Sequence, residues 1–317
     1  MIRTTAVIGA GYMGGGIAQV LALSGRDVLL ADASPELAAA ARDRLIREAG
    51  TYAGRGIFPD DAQARVADRL TAVAMLEEAV ADVDFVEEAV PEILELKHET
   101  LRRISTACRP DALIGSNTST ILITTLAEAV EGPERFLGVH FSNPAPFVPG
   151  VEVIPGARTA QDAVDRVVAL LAQCGKVGVP IADVTGFVLN RLQYALFGEA
   201  ARLAEEGVAT PEAIDLIVRT TFGFRLPFFG PFAIADIAGL DVYEFCYRSL
   251  QAAYPDRFEA PRILREKVER GQKGLKSGQG FLTTPTERAA DLAAYRDAAY
   301  AALSELLRET GPAPVDY

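Results

Sequence analysis

Val7-Ile8-Gly9-Ala10-Gly11-Tyr12-Met13-Gly14 ends a short apolar run with three glycines in the spacing GxGxxG. In that spacing the first glycine permits a tight turn, the second lets backbone approach a pyrophosphate, and the third lets a helix pack closely on the strand before it. A helix starting there offers unpaired N–H groups and the positive end of its dipole to phosphate oxygens. Alone, such a turn can be purely structural. Here a second apolar run, residues 28–31, ends in Asp32 at about the spacing expected of a ribose-binding acid. A carboxylate in that place accepts hydrogen bonds from both ribose hydroxyls and repels a 2′-phosphate, so the combination predicts NAD rather than NADP. The competing reading of Asp32, an ordinary turn acid ahead of Ser34-Pro35, accounts for less of this context.

Outward from this turn, β-rich runs at 4–8, 28–31, 85–86, 113–115, 137–141, 151–154 and 177–181 alternate with helical stretches. Alternation of that kind predicts an α/β fold with a parallel, doubly wound sheet of Rossmann type. After Gly186 the period changes. Leu189, Leu192, Leu196, Ala200 and Leu203 recur at three- and four-residue spacing, Gly207 supplies a stop, and Thr210-Pro211 reads as a cap and first residue of another helix. The division is therefore expected in the Asp183–Gly186 turn, with a dinucleotide-binding domain over 1–184 and an all-α domain over 185–317.

The 317 residues suffice for one to three domains at roughly 150 residues each. Half are hydrophobic and 23% charged, which excludes disordered and fibrous classes. Lys and Arg number 31 against 43 Asp and Glu, a net charge of −12 that argues against nucleic acid and acidic membranes as partners. Cys108, Cys174 and Cys246 lie far apart with no CxxC pair or His cluster, so neither a disulfide framework nor a metal site is expected. The uncharged stretch from Thr4 to Gly25 is interrupted by six glycines and reads as neither membrane span nor signal peptide. A cytoplasmic protein is the expectation.

Two histidines narrow the choice of an imidazole acid/base. His98 lies in Leu96-Lys97-His98-Glu99, which reads as a solvated helix. His140 ends a strand-like run before Ser142-Asn143-Pro144, at the kind of strand edge where open α/β sheets bind ligands. Oxidising an alcohol by hydride transfer leaves a proton, and imidazole is suited to take it near neutral pH. Glu152, inside the apolar run Val151–Ile154, is the candidate to orient that ring; otherwise it is an edge-strand acid facing water. Ser119 and Asn190, taken alone, read as local hydrogen-bonding or capping residues, yet both could bond an oxygen that changes between hydroxyl and carbonyl.

Residues 9–18 (GAGYMGGGIA), 116–119 (SNTS), 140–144 (HFSNP), 151–154 (VEVI), 185–191 (TGFVLNR) and 276–281 (KSGQGF) together, and in this order, resemble the 3-hydroxyacyl-CoA dehydrogenase family over nearly the whole chain. The resemblance implies His140 as catalytic acid/base, Glu152 as its orienting partner, and Ser119 and Asn190 on the reacting oxygen. It also implies NAD contacts from Gly9, Gly11, Tyr12, Met13 and Gly14, from Asp32 and Asn117, and from Glu92 and Lys97 near the nicotinamide. A homodimer is implied too, to which Phe228, Phe232, Phe245 and Tyr247 could contribute, although core packing is the more ordinary role of each.

One segment departs from the acyl-CoA members. Gly223-Phe224-Arg225-Leu226-Pro227-Phe228-Phe229-Gly230-Pro231 places a cation before the Gly-Pro pair, which, with residues 188–195, 91–97 and Pro149, resembles the L-gulonate 3-dehydrogenase branch. A guanidinium among apolar neighbours suits a substrate carboxylate; an ion pair with Asp236 is the equal alternative. Residues 236–241 and 276–281 keep the acyl-CoA pattern, while Ser142 and Phe147 leave the gulonate one, so a carnitine-type or pyridine-carboxylate dehydrogenase also fits. The substrate expected is a small 3-hydroxy acid or acyl thioester. Arg42, Arg44, Arg47 and Arg55 read as a solvated helix face. Two other classes compete with this reading. A 3-hydroxy-acid dehydrogenase with a catalytic lysine lacks the His140/Glu152 pair, and an NAD-binding structural or sensor protein gives no reason for an intact catalytic set.

Overall fold

The computed structural model describes residues 2–311, 313 and 314. The chain forms two compact units, residues 1–195 and 196–317. The helix Leu189–Glu205 runs from the first into the second.

The first unit is an eight-stranded sheet ordered β3-β2-β1-β4-β5-β6-β7-β8. The strands are β1 Thr4–Ile8, β2 Asp27–Ala31, β3 Leu70–Ala72, β4 Phe85–Glu88, β5 Leu113–Ser116, β6 Phe136–Phe141, β7 Gly150–Pro155 and β8 Val177–Pro180. All neighbours pair in parallel except β6 and β7. The order turns back between β1 and β4, and at such a switch point the diverging connections leave a crevice beyond the strand ends. Apolar layers cover both faces. One joins Ile17 and Leu21 of α1 (Tyr12–Leu23) to Leu45, Val139, Val167 and Leu170; the other joins Leu101 and Ile104 to Val86, Ile114, Phe136 and Ile154. The central strands β4, β5 and β6 are buried along their whole length, which is why they read as continuous apolar runs, whereas β8 at the sheet edge is largely exposed.

Two features differ from the sequence reading. β3 is only three residues long and follows the helix Ala62–Arg69 directly, too short to show a period. The β6–β7 pair is antiparallel because residues 142–149 alone connect the strands, whereas a parallel crossover needs about a dozen or more.

The described residues of the second unit form helices joined by turns and two isolated β-bridges, with a small core of Ala235, Leu240 and Leu264 backed by Tyr243, Tyr247, Val268 and Phe281. Thr210 caps the helix Pro211–Thr220 by accepting from the Ala213 amide at 3.2 Å, as its Thr-Pro start predicts. Buried Asp236 accepts from the amides of Phe281 and Leu282 at 2.9 and 2.6 Å. A Cβ on Gly280 would fall 2.1 Å from the Asp236 carboxylate, so the 276–281 motif is the backbone wrapping of that acid.

Glu87 on β4 is fully buried, and neither carboxyl oxygen has a hydrogen-bond partner among the described residues. Gly115 makes the space for it, since a Cβ there would lie 2.3 Å from Glu87 Oε2. Burial pushes this carboxyl well above its ordinary 4.5, the Glu88 charge adds to the rise, and Lys97 opposes it. The fold therefore keeps a proton that the unfolded chain releases, and stability declines as pH rises above about 4.5 toward the elevated folded value. Melting curves of Glu87→Gln and wild type across this range should diverge, the variant gaining relative to wild type as pH increases; parallel curves would show Glu87 ionised in the fold.

Candidate active site

The residues singled out at the front of the chain meet at the carboxyl ends of β1, β2, β4 and β5. Gly9 has φ +100, and a Cβ there would sit 2.7 Å from the Ala89 carbonyl oxygen. Gly14 is more constrained, because its Cβ would fall 1.8 Å from the Gly9 carbonyl oxygen; α1 rests on the turn only through hydrogen. Gly11 is the N-cap residue of α1 and has open space around its missing side chain, leaving the first amides of the helix without intrahelical partners. Asp32 leaves β2 and clamps the loop, accepting from Ala10 N through Oδ2 and from Ala33 N through Oδ1, both at 2.6 Å. Each oxygen retains a second lone pair for a ribose hydroxyl. Arg44 holds the same loop from the helix Pro35–Gly54 by donating to the Ala10 carbonyl at 3.1 Å, while Arg42 bonds the Leu70 and Ala67 carbonyls. These two arginines brace the sheet edge and loop, a role that the reading as a solvated face missed.

A cleft of about 930 Å³ opens here, lined by Gly9, Gly11, Tyr12, Met13, Asp32, Glu92, Asn117 and Ser119 among others. Bare glycine backbone, a helix N-terminus and an acid at the end of the second strand fit a dinucleotide's pyrophosphate and ribose. Gly14 lies behind the lining as a packing contact. Lys97 is also behind it: 1% exposed, its ammonium bonds Glu88 Oε1 at 2.8 Å and the Val90 carbonyl at 3.2 Å. It approaches Glu92 at 3.5 Å and so acts on the cleft through that carboxylate. Glu88 is completed by Ser116 Oγ at 2.5 Å and the Val90 amide at 2.7 Å.

Glu92 binds the 118–120 turn together, accepting from Thr118 Oγ1 at 2.7 Å and from the Ser119 and Thr120 amides at 2.9 Å each. Partial burial would raise its pKa, but the Thr118 hydroxyl, the Thr120 and Ser119 amides and the Lys97 charge outweigh it and hold the carboxyl below its usual range. Glu92 thus stays anionic and fixes Ser119. Asn117 lines the cleft and accepts from the Phe141 amide at 2.9 Å, joining the ends of β5 and β6.

In the β6–β7 register His140 stands opposite Glu152. His140 Nδ1 meets Glu152 Oε2 at 2.8 Å, and Ser119 Oγ meets the far nitrogen, Nε2, at 3.2 Å. Glu152 is no edge acid: β8 covers its strand, its side chain is 14% exposed, and Oε1 accepts from the Val188 and Leu189 amides at 2.9 Å each. Asn190 Nδ2 donates to the Ser119 carbonyl at 3.1 Å. Asp183 anchors the intervening turn by accepting from the Ile123 and Thr124 amides at 2.9 and 2.8 Å. Inside that turn Phe187 takes φ +48, costly for a residue with a side chain, and its buried ring lies 5.7 Å from the imidazole. Nothing in the sequence singles Phe187 out beyond its place in the 185–191 motif. His98 plays a separate part, its Nε2 3.0 Å from the Thr125 carbonyl.

Arg225, in the second unit, is partly buried and lines a small cavity with Arg296 and Tyr300. The ion pair with Asp236 does not form; that acid faces the Phe281 and Leu282 amides instead.

A glycine turn on a helix, an acid ending the second strand and a carboxylate-held imidazole belong to the class of NAD-dependent oxidoreductases acting on a hydroxyl group. The chain belongs to the 3-hydroxyacyl-CoA dehydrogenase family: residues 4–184 match its NAD binding domain and residues 186–284 its C-terminal domain. It is 37% identical over 281 residues to a probable 3-hydroxybutyryl-CoA dehydrogenase of Bacillus subtilis, covering 88% of this chain and 96% of that one. L-carnitine dehydrogenase of Pseudomonas aeruginosa is 36% identical over 318 residues, covering 98% and 95%. The crystal structure of a 3-hydroxyacyl-CoA dehydrogenase from Archaeoglobus fulgidus is 33% identical, covers 98% of this chain and 99% of its own, and has a TM-score of 0.79. These relatives are dehydrogenases, and they give the sensor reading no support. No helix among the described residues is long and apolar enough to cross a membrane.

Gly14→Ala drives a methyl into the Gly9 carbonyl and should raise the Kd for NADH at least about tenfold in a fluorescence titration. Unchanged affinity would mean that the turn does not hold the dinucleotide.

Proposed function

We propose that this chain interconverts the 3-hydroxyl of a small acid or acyl thioester with the corresponding ketone, His140 exchanging the proton. The observation that carries the reading is the imidazole bonded on both sides, to Glu152 at 2.8 Å and to Ser119 at 3.2 Å. A carboxylate only accepts, so Nδ1 carries the hydrogen and Nε2 is the basic nitrogen, turned toward Ser119. In the oxidising direction Nε2 takes the hydroxyl proton and Glu152 stabilises the imidazolium that results. The second Asn190 N–H is the donor available to the reacting oxygen, joined by the Ser119 hydroxyl once the substrate hydroxyl takes its place on Nε2.

NAD would be held by the Gly9–Gly14 turn and by Asp32 at its ribose, with Asn117 and Glu92 also lining the cleft, and would supply the hydride acceptor. Lys97 keeps Glu92 in place from below. Residues 1–184 hold the dinucleotide and the acid/base pair, and residues 185–317 complete the substrate side.

Of the two substrate forms we favour the free acid, because Arg225 offers a partly buried cation with no acidic partner at Asp236. A thioester is the second reading, favoured by the 3-hydroxybutyryl-CoA relative. We also propose a cytoplasmic homodimer. In the second unit Phe197 and Phe245 are 67% and 64% exposed, apolar side chains left for a second copy to cover. Phe228 packs on Tyr300, Phe232 on Phe281 and Tyr247 on the helical core.

His140→Gln should reduce kcat with 3-hydroxybutyrate or its thioester by about 10² to 10⁴, the usual scale of general acid–base catalysis, with NADH affinity retained. Near-normal turnover would reject the assignment, and so would a wild-type protein that reduces NAD with neither substrate.

A further inference from the structure

The helical unit holds a cavity of about 380 Å³ in which Ile234, Ile237 and Ala238 face Arg225, Arg296 and Tyr300. Arg296 and Tyr300 stand on the helix Ala289–Thr310, beyond residue 284 where the match to the family's C-terminal domain ends. Aromatic packing pins that helix beside Arg225. The Tyr300 ring lies 5.4 Å from Phe224, 6.1 Å from Phe228 and 6.3 Å from Phe229. Phe228 and Phe229 both donate their amides to the Arg225 carbonyl.

The two guanidiniums are not in the same state. Arg296 already pairs with its neighbour Asp297, with Nη2 and Nε at 2.7 and 2.9 Å from Oδ1. Arg225 is partly buried, and among the described residues no acceptor meets its guanidinium. A partly desolvated cation without an anion is unfavourable, which points to a ligand. Two cations and one acid leave a single positive charge, suited to a monoanion rather than a phosphate dianion. A guanidinium fork matches the plane of a carboxylate, the Tyr300 hydroxyl adds a donor, and the aliphatic wall accommodates a short carbon chain.

We propose that Arg225, Arg296 and Tyr300 form a subsite for the carboxylate of a short aliphatic acid, with the C-terminal helix supplying half of it. That this carboxylate is the substrate's own rests on the free-acid reading above; the binding claim does not. Calorimetric titration of the full chain with butyrate, butyramide and inorganic phosphate tests it. Butyrate should bind, the uncharged amide should not, and phosphate should bind more weakly. Arg225→Leu and Arg296→Leu should each weaken butyrate at least about tenfold while keeping wild-type NADH affinity and melting. Arg296→Lys, which keeps the charge and loses the fork, should fall between and serves if the leucine variant does not fold. No butyrate binding, equal binding of amide, a preference for phosphate, or unchanged affinity in either arginine variant overturns the subsite.

Kinetics of Arg296→Leu then separate the two sources of the carboxylate. A KM raised for free 3-hydroxybutyrate but not for its thioester identifies the substrate's carboxylate; unchanged KM for both, with butyrate binding lost, identifies a separate carboxylate ligand, and either result upholds the subsite. A wild type inactive on both substrates defeats the functional reading, and the butyrate titration still judges the subsite.

Discussion

One rung of an antiparallel ladder organises the candidate active site of this protein: His140 on β6 opposite Glu152 on β7. Directly opposed residues in such a pair point to the same face with Cβ atoms about 5 Å apart, so an imidazole and a carboxylate placed there meet without further help. The reversal is forced by the short connection 142–149, which leaves no length for a crossover. In an otherwise parallel sheet, the chain changes direction at the place where two side chains must face each other. Glu152 then carries the constraint onward, its second oxygen holding the amides of Val188 and Leu189 and thereby the start of the helix that bears Asn190.

A second set of buried charges secures the cofactor side. Ser116, Glu88, Lys97 and Glu92 form a chain of bonds from the end of β5 to the 118–120 turn. Burying Lys97 and Glu88 costs hydration on both, and their mutual contact with further hydrogen bonds offsets it. The result is a Glu92 carboxylate whose position is determined from beneath, and a Ser119 whose backbone is held by Glu92 and by Asn190 while its hydroxyl faces the imidazole. Glu87, one residue from Glu88 and on the opposite face of β4, has no such partners, and the same burial keeps it protonated.

The glycine turn, Asp32 and the alternation of runs were legible because each is a local signal: a spacing, a terminal acid, a period. The partnership of His140 with Glu152 could be suggested by residue type and by resemblance, but the pairing itself depends on a strand reversal that no period encodes. Lys97 illustrates another limit. The family resemblance implies Lys97 near the nicotinamide; only packing shows its ammonium sealed beneath Glu92. The positive φ of Phe187, the three-residue β3 and the bracing by Arg42 and Arg44 arise from tertiary contacts and leave no pattern in neighbouring residues. Arg225 shows the converse, since its isolation from Asp236 follows from the amides of a segment more than forty residues further along.

The chain has only two histidines, and the structure requires them to be opposite tautomers. Glu152 accepts from His140 at Nδ1, whereas the Thr125 carbonyl accepts from His98 at Nε2. Nitrogen-15 NMR of histidine-labelled protein, at a pH where both rings are neutral, should show one ring protonated at Nδ1 and one at Nε2, with Glu152→Gln disturbing the first alone. Two rings of the Nε2–H form would contradict the rung between β6 and β7 as the element that presents the catalytic base.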